Sequence, residues 1–204
     1  MLIGVCFFGR SKHFDKKYLL RSFGSSHTYN FFYSGDNEPE EVLDNFKKMY
    51  SPISVNNDKI VYDIDFSIYP NNKTHPVNIH NMTCHLINKK RVFQLLEEHC
   101  NKTNTSYDII ISCRFDLCMD AYVPEIPLKN TVYIPSGNDY TGINDRFAFG
   151  DFQTMKQYMN LYDNSLYLVE NKISVAHPEN LHLYNILHCN LNIVRIDMHH
   201  TISR

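Results

Sequence analysis

The feature that most constrains this chain is Tyr107–Asp120, in which Ile109, Ile110 and Ile111 form an unbroken β-branched run ahead of Arg114 and Asp116. Three adjacent β-branched residues without helical spacing predict a central strand covered on both faces. Two charges directly after such a strand fall at the carboxyl edge of its sheet, where open α/β sheets bind their ligands. A carboxylate there can hold a divalent cation, and a guanidinium beside it can grip phosphate oxygens in a fixed fork. An ordinary ion pair at a strand end is the alternative reading of the same residues.

The rest of the sequence repeats a strand–helix rhythm. Leu2–Phe8 predicts a buried first strand ended by Gly9 and followed by Arg10, and 13–23 a helix stopped by Gly24. Thr28–Tyr33 is aromatic and β-prone, and Glu38–Met49 predicts a helix with acids at its start and Lys47 and Lys48 at its end. Lys59–Phe66 predicts a half-exposed strand, so its Asp63-Ile64-Asp65 reads as a pair of solvated acids rather than a metal motif. Within Met82–Cys100 a third helix carries Lys89, Lys90 and Arg91 crowded at its start. Basic residues there oppose the helix dipole, a cost that a nearby anionic ligand would offset; a solvated charge run is the blander account. Thr131–Ile134 predicts a strand, and 136–150 a long functional loop whose aromatic and acidic content argues against disorder. Asp151 predicts an N-cap for a helix through Tyr162, Leu181–His188 a last helix and Leu191–Met198 a closing strand. The expectation is an α/β fold: one domain over 1–204, with a central mixed, mostly parallel sheet flanked by helices.

Composition narrows the partners. The 204 residues carry 20 basic and 22 acidic side chains, interspersed, for a net charge of -2, which offers no basic field for nucleic acid. No apolar run reaches the length of a transmembrane helix, and Met1–Phe8 lacks the basic flank and cleavage site of a signal peptide, so a cytoplasmic protein is expected. The 6 cysteines are scattered without a C-x-x-C pair and read as small core hydrophobes in a reducing compartment.

The order of these features resembles a family. Phe8-Gly9-Arg10 after the first strand, Tyr50-Ser51-Pro52, the basic-start helix, the Ile-rich strand running into Arg114-Phe115-Asp116, the Gly142–Gly150 loop, Met155 and Tyr158 on the next helix, and Pro178-Glu179 together are similar to small GT-A-type glycosyltransferases of polysaccharide-building bacteria and large DNA viruses. The resemblance spans nearly the whole chain. It implies a nucleotide-sugar donor, commonly a UDP-sugar, a glycan acceptor, and a Mn²⁺ or Mg²⁺ ion held by Asp116. If the source is a virus, the site of action is the host cytoplasm. One departure from the family stands out: Arg114 occupies the first place of the usual Asp-x-Asp, so the guanidinium could itself neutralise diphosphate. Phe8, Gly9, Arg10, Arg91 and Arg114 are the expected donor-binding residues, with Arg10 on the diphosphate or the uracil. Asp145, or else Asp139, is the expected base for the acceptor hydroxyl. His177 and Glu179 read first as a helix-entry pair, and the Cys113 thiol as a minor nucleophile candidate. The competing reading is a catalytically silent GT-A-like binding module; a phosphatase or nucleotidyltransferase would want more clustered carboxylates.

Overall fold

A computed structural model describes residues 1–10, 26–119 and 125–202. A seven-stranded sheet runs through it in the order β3-β2-β1-β4-β7-β6-β8. Its strands are β1 (Leu2–Phe8), β2 (Thr28–Ser34), β3 (Ser54–Asn56), β4 (Ile109–Arg114), β6 (Thr131–Pro135), β7 (Phe147–Gly150) and β8 (Asn192–Ile196). Strands β5 (Leu117–Met119) and β9 (His200–Ile202) form a separate antiparallel pair. The helices are α1 (Glu40–Tyr50), α2 (Ile79–Thr103), α3 (Phe152–Met159), α4 (Leu161–Glu170) and α5 (Pro178–His188). The architecture is thus α/β, with a mixed sheet flanked by helices and Rossmann-like in layout. Strand β4 is the middle strand, as its β-branched run requires: Ile109 through Cys113 are buried.

Period-two alternation divides the core into two layers. Ile3, Val5 and Phe7 join Ile109, Ile111 and Cys113 on the face covered by Leu43, Phe46 and Tyr50 of α1. Cys6, Phe8 and Ile110 point the other way, against Val92, Phe93 and Leu96 of α2 and Met155, Tyr158 and Met159 of α3. Helix α2 lies close to the sheet at Gly4, where a Cβ would come within 2.6 Å of Leu96 Cδ1.

Several elements depart from the sequence expectation. Lys59–Asp65 is irregular, and a single 3-10 turn follows at Phe66–Ile68. The Ile60 amide donates to Asp36 Oδ1 at 2.7 Å, which ties that backbone to the end of β2 rather than to a strand ladder. Asp63 and Asp65 are exposed: Asp63 accepts from Tyr162 Oη and Asp65 caps the 3-10 turn through Ser67 N. Helix α2 begins at Ile79 under an Asn78 cap that accepts from Asn81 N. Lys89, Lys90 and Arg91 therefore lie inside the helix, and the dipole argument does not apply to them. The long loop contains a strand, since Phe147–Gly150 inserts antiparallel to β4, with Ile111 opposite Phe149. All four residues of that strand are buried, so no alternation marks it in the sequence. Asp151 caps α3 by accepting from Thr154 N at 2.8 Å, but the helix stops at Met159 and α4 begins at Leu161. The expected helix at 13–23 falls outside the described residues. Among the described residues no helix is long and apolar enough to cross a membrane.

Candidate functional site

From β1 the chain proceeds to β2 and β3 on one side, then returns to add β4 on the other, so a switch point lies between β1 and β4. At such a point the loops after adjacent strands diverge and leave a crevice beyond their carboxyl ends. Register brings three strand ends level: Phe8 pairs with Ser34 on one side and with Arg114 on the other. Gly9-Arg10, Asp36 and Asp116 follow directly and project over the edge. With the first turns of α2, Asp145 and the start of α5, they line a cleft of about 400 Å³.

Of the residues singled out from sequence, Gly9, Arg10, Arg114, Asp116, Asp145 and Glu179 line this cleft. Arg114 and Asp116 face each other as a fork: Nε donates to Oδ1 at 3.0 Å and Nη2 to Oδ2 at 2.7 Å. Phe8 lies beneath the cleft as part of its floor; its ring meets His85 edge to face at 4.9 Å and sits under the Lys89 ammonium at 4.8 Å. Arg91 turns aside and donates to the Asp58 carbonyl at 2.9 Å. Asp139 also lies elsewhere, pairing with Arg195 and accepting from the Asn144 amide at 2.9 Å. It is the acid that caps the loop. Cys113 is fully buried among the core residues of β4, and burial pushes its thiol far above the ordinary value, which leaves it inert.

Asp145 has a different environment. Its carboxylate lies 3.1 Å from His85 Nε2, with 3% of the acid side chain and 13% of the histidine side chain exposed. Burial alone would raise the acid, but His85, Lys89 and His182 hold it well below the usual carboxylate range. Burial lowers His85 from its ordinary value despite this acid, so the imidazole is neutral near pH 7. Beneath them lies Lys89, wholly buried. Its ammonium donates to the Asp145 carbonyl at 3.0 Å, contacts His182 Nε2 at 2.6 Å and rests 4.9 Å from the Tyr158 ring centre. His182 Nδ1 lies 2.7 Å from the Pro178 carbonyl, which can only accept, so Nδ1 carries the proton and Nε2 accepts from Lys89. Burial drives Lys89 down to about 7. At the entrance to α5, His177 Nδ1 lies 3.0 Å from Glu179 Oε2, and burial raises the Glu179 carboxyl.

Sequence reasoning missed His85 and His182, and read Lys89 only as one of a basic run at a helix start. The available signal was weak: His85 and Lys89 are four apart, one helical turn, on the side of α2 that carries Val92 and Leu96.

The seven-stranded α/β sheet and its switch-point cleft, lined by guanidinium, carboxylate and imidazole groups, define a Rossmann-like domain with a ligand-sized crevice. Within that class the chain belongs to a family described as Domain of unknown function (DUF7796), whose model matches residues 76–198. The matched segment holds α2, β4, the Asp145 loop and α5, and so every cleft residue except those contributed by β1 and β2. No curated protein matches the chain.

Proposed function

We propose that this domain is a nucleotide-sugar-dependent glycosyltransferase, with a UDP-sugar as donor and a glycan, free or protein-linked, as acceptor. The observation that carries the reading is the convergence of Arg10, Arg114, Asp116, Asp145 and His85 on one crevice at the switch point. In the transfer, the bond from the anomeric carbon to the diphosphate breaks, the acceptor oxygen bonds to that carbon, and the acceptor proton must leave. Guanidinium groups at Arg10 and Arg114 suit the departing diphosphate, because preorganised positive charge is worth most where negative charge develops. His85, neutral and oriented by Asp145, suits the proton-accepting role, with Asp145 acting through it.

The Mn²⁺ or Mg²⁺ ion implied at Asp116 meets one constraint. Both oxygens of Asp116 accept from Arg114, so a hard cation would have to use the lone pairs that this fork leaves over, with the guanidinium charge beside it opposing its binding. Bound there, the ion would supply further charge neutralisation of the diphosphate. The same closed fork favours one alternative, a silent module that binds nucleotide-sugar without turnover.

A thermal-shift panel of UDP-, GDP- and CMP-sugars, with and without Mn²⁺, tests the reading. A true donor at about a hundred times its Kd stabilises by about 2.7 kcal/mol, a rise of roughly 5 °C or more in Tm for a domain of this size. No shift with any nucleotide-sugar refutes the proposal, and a shift without donor hydrolysis or transfer selects the silent module.

A further inference from the structure

We propose that Asp36, His80 and Cys84 form a binding centre for a zinc-class divalent ion at the rim of the cleft, with a fourth coordination position open to it. The three side chains come from separate places. Asp36 follows β2, whereas His80 and Cys84 lie one turn apart at the start of α2, where positions i and i+4 share a face. Their ligand atoms lie within 4.8 Å of one another. Cys84 Sγ is 3.7 Å from Asp36 Oδ2 and 3.6 Å from His80 Nε2. A tetrahedral ion with ordinary zinc–sulfur, zinc–nitrogen and zinc–oxygen bonds sets such pairs about 3.5 Å apart, so these two edges already have nearly the required length.

The atoms behind the ligands hold them in place as metal sites require. His80 Nδ1 meets the Tyr62 hydroxyl at 3.0 Å; with Nδ1 protonated and donating to that oxygen, Nε2 keeps its lone pair for an ion. Asp36 Oδ1 accepts from the Ile60 amide at 2.7 Å, which orients the carboxylate and leaves Oδ2 toward Cys84. This contact also explains why 59–65 abandons strand geometry: the segment brings Ile60 and Tyr62 to the two ligands. Thiolate, imidazole and carboxylate together select zinc or cobalt over magnesium or calcium. Three protein ligands with the fourth position free is the donor count of catalytic rather than structural zinc. Asp36 and Cys84 line the cleft, so that position opens toward Arg10 and the β4 edge. The inference stands on these ligands alone and holds whether or not the domain transfers sugar.

The test uses the full chain without an affinity tag, stripped of metal and titrated with Zn²⁺ against a chromophoric chelator. The expected result is one equivalent bound with Kd of about 1 µM or tighter, and a thiolate-to-metal charge-transfer band when Co²⁺ replaces Zn²⁺. Cys84→Ser should abolish the band and weaken Zn²⁺ binding on the order of a hundredfold, and His80→Ala or Asp36→Asn about tenfold or more. A band that persists in Cys84→Ser, or a Kd for Zn²⁺ weaker than about 0.1 mM, overturns the proposal. Alkylation of the parent protein keeps it falsifiable should the variants misfold: Zn²⁺ should slow iodoacetamide modification of Cys84 and leave Cys100 and Cys118 unchanged, and equal rates at Cys84 with and without the ion refute it.

Discussion

Lys89 sits in the run Lys89-Lys90-Arg91, whose three members have three fates: one is buried under the cleft, one pairs with Asp163 and one reaches the Asp58 carbonyl. The folded protein lowers Lys89 from 10.5 to about 7. The unfolded chain therefore binds the additional proton between those values, and stability rises with pH across that window. Between pH 7 and 9 the expected gain is on the order of 2 kcal/mol, seen as a rise in Tm that Lys89→Met removes. Asp145 acts in the same sense at lower pH: its lowered carboxyl contributes stability that is present above about pH 4 and is lost in stronger acid. Its catalytic role separates from His85 by pH profile. With His85 as base, kcat/KM falls in acid through a value below 6.5, and Asp145→Asn and His85→Gln each lower kcat by on the order of a hundredfold or more. A profile flat to about pH 4 would return the role to Asp145 itself. The acid that caps the loop is Asp139, six residues earlier, a distinction invisible in sequence because both acids lie in the same irregular stretch.

At the scale of elements, the cleft depends on how the loop between β6 and β7 docks on α5. A Cβ on Gly142 would lie 2.2 Å from the Glu179 carbonyl carbon, and the next residue, Ile143, donates its amide to the Glu179 carbonyl at 3.0 Å. Gly142→Ala must push backbone from backbone, at an expected cost of about 3 kcal/mol in chemical denaturation. It should also blunt any ligand-induced Tm shift, because Asp145 rides on this loop. Elements with a clear local signature were legible: the β-branched run of β4, the aromatic β2, the acid-to-base gradient of α1 and the Asp151 cap. Those that failed lacked one. Strand β7 is too short and too buried to alternate, and 59–66 alternates like a strand yet is held by the side chains of Asp36, just after β2, and of His80 in α2.

For the whole molecule, stability should be greatest where the sheet is covered on both faces. Strands β1 and β4 are buried almost throughout, while β8 leaves Val194 and Arg195 exposed. Native-state hydrogen exchange should be slowest in β1 and β4 and fastest, among the strands, in β3 and β8; a slowest-exchanging β8 would contradict this. By itself the sequence determined the class of fold and the strand that carries the site, because periodicity, β-branching and caps act over a few neighbouring residues. It also placed Arg114 and Asp116 at a strand end, since the apolar run stops just before them. Only the tertiary structure decided the company these residues keep. The His85–Asp145 contact joins residues 60 apart in the chain, and Asp36 meets Cys84 across 48. Such pairings follow from strand order and helix packing, and no local signal encodes them. For the same reason only the packing of α2 across the sheet decided that Lys89 lies buried beneath the cleft and that Cys84 lines it, a charge and a thiol that read as solvent-facing and core residues.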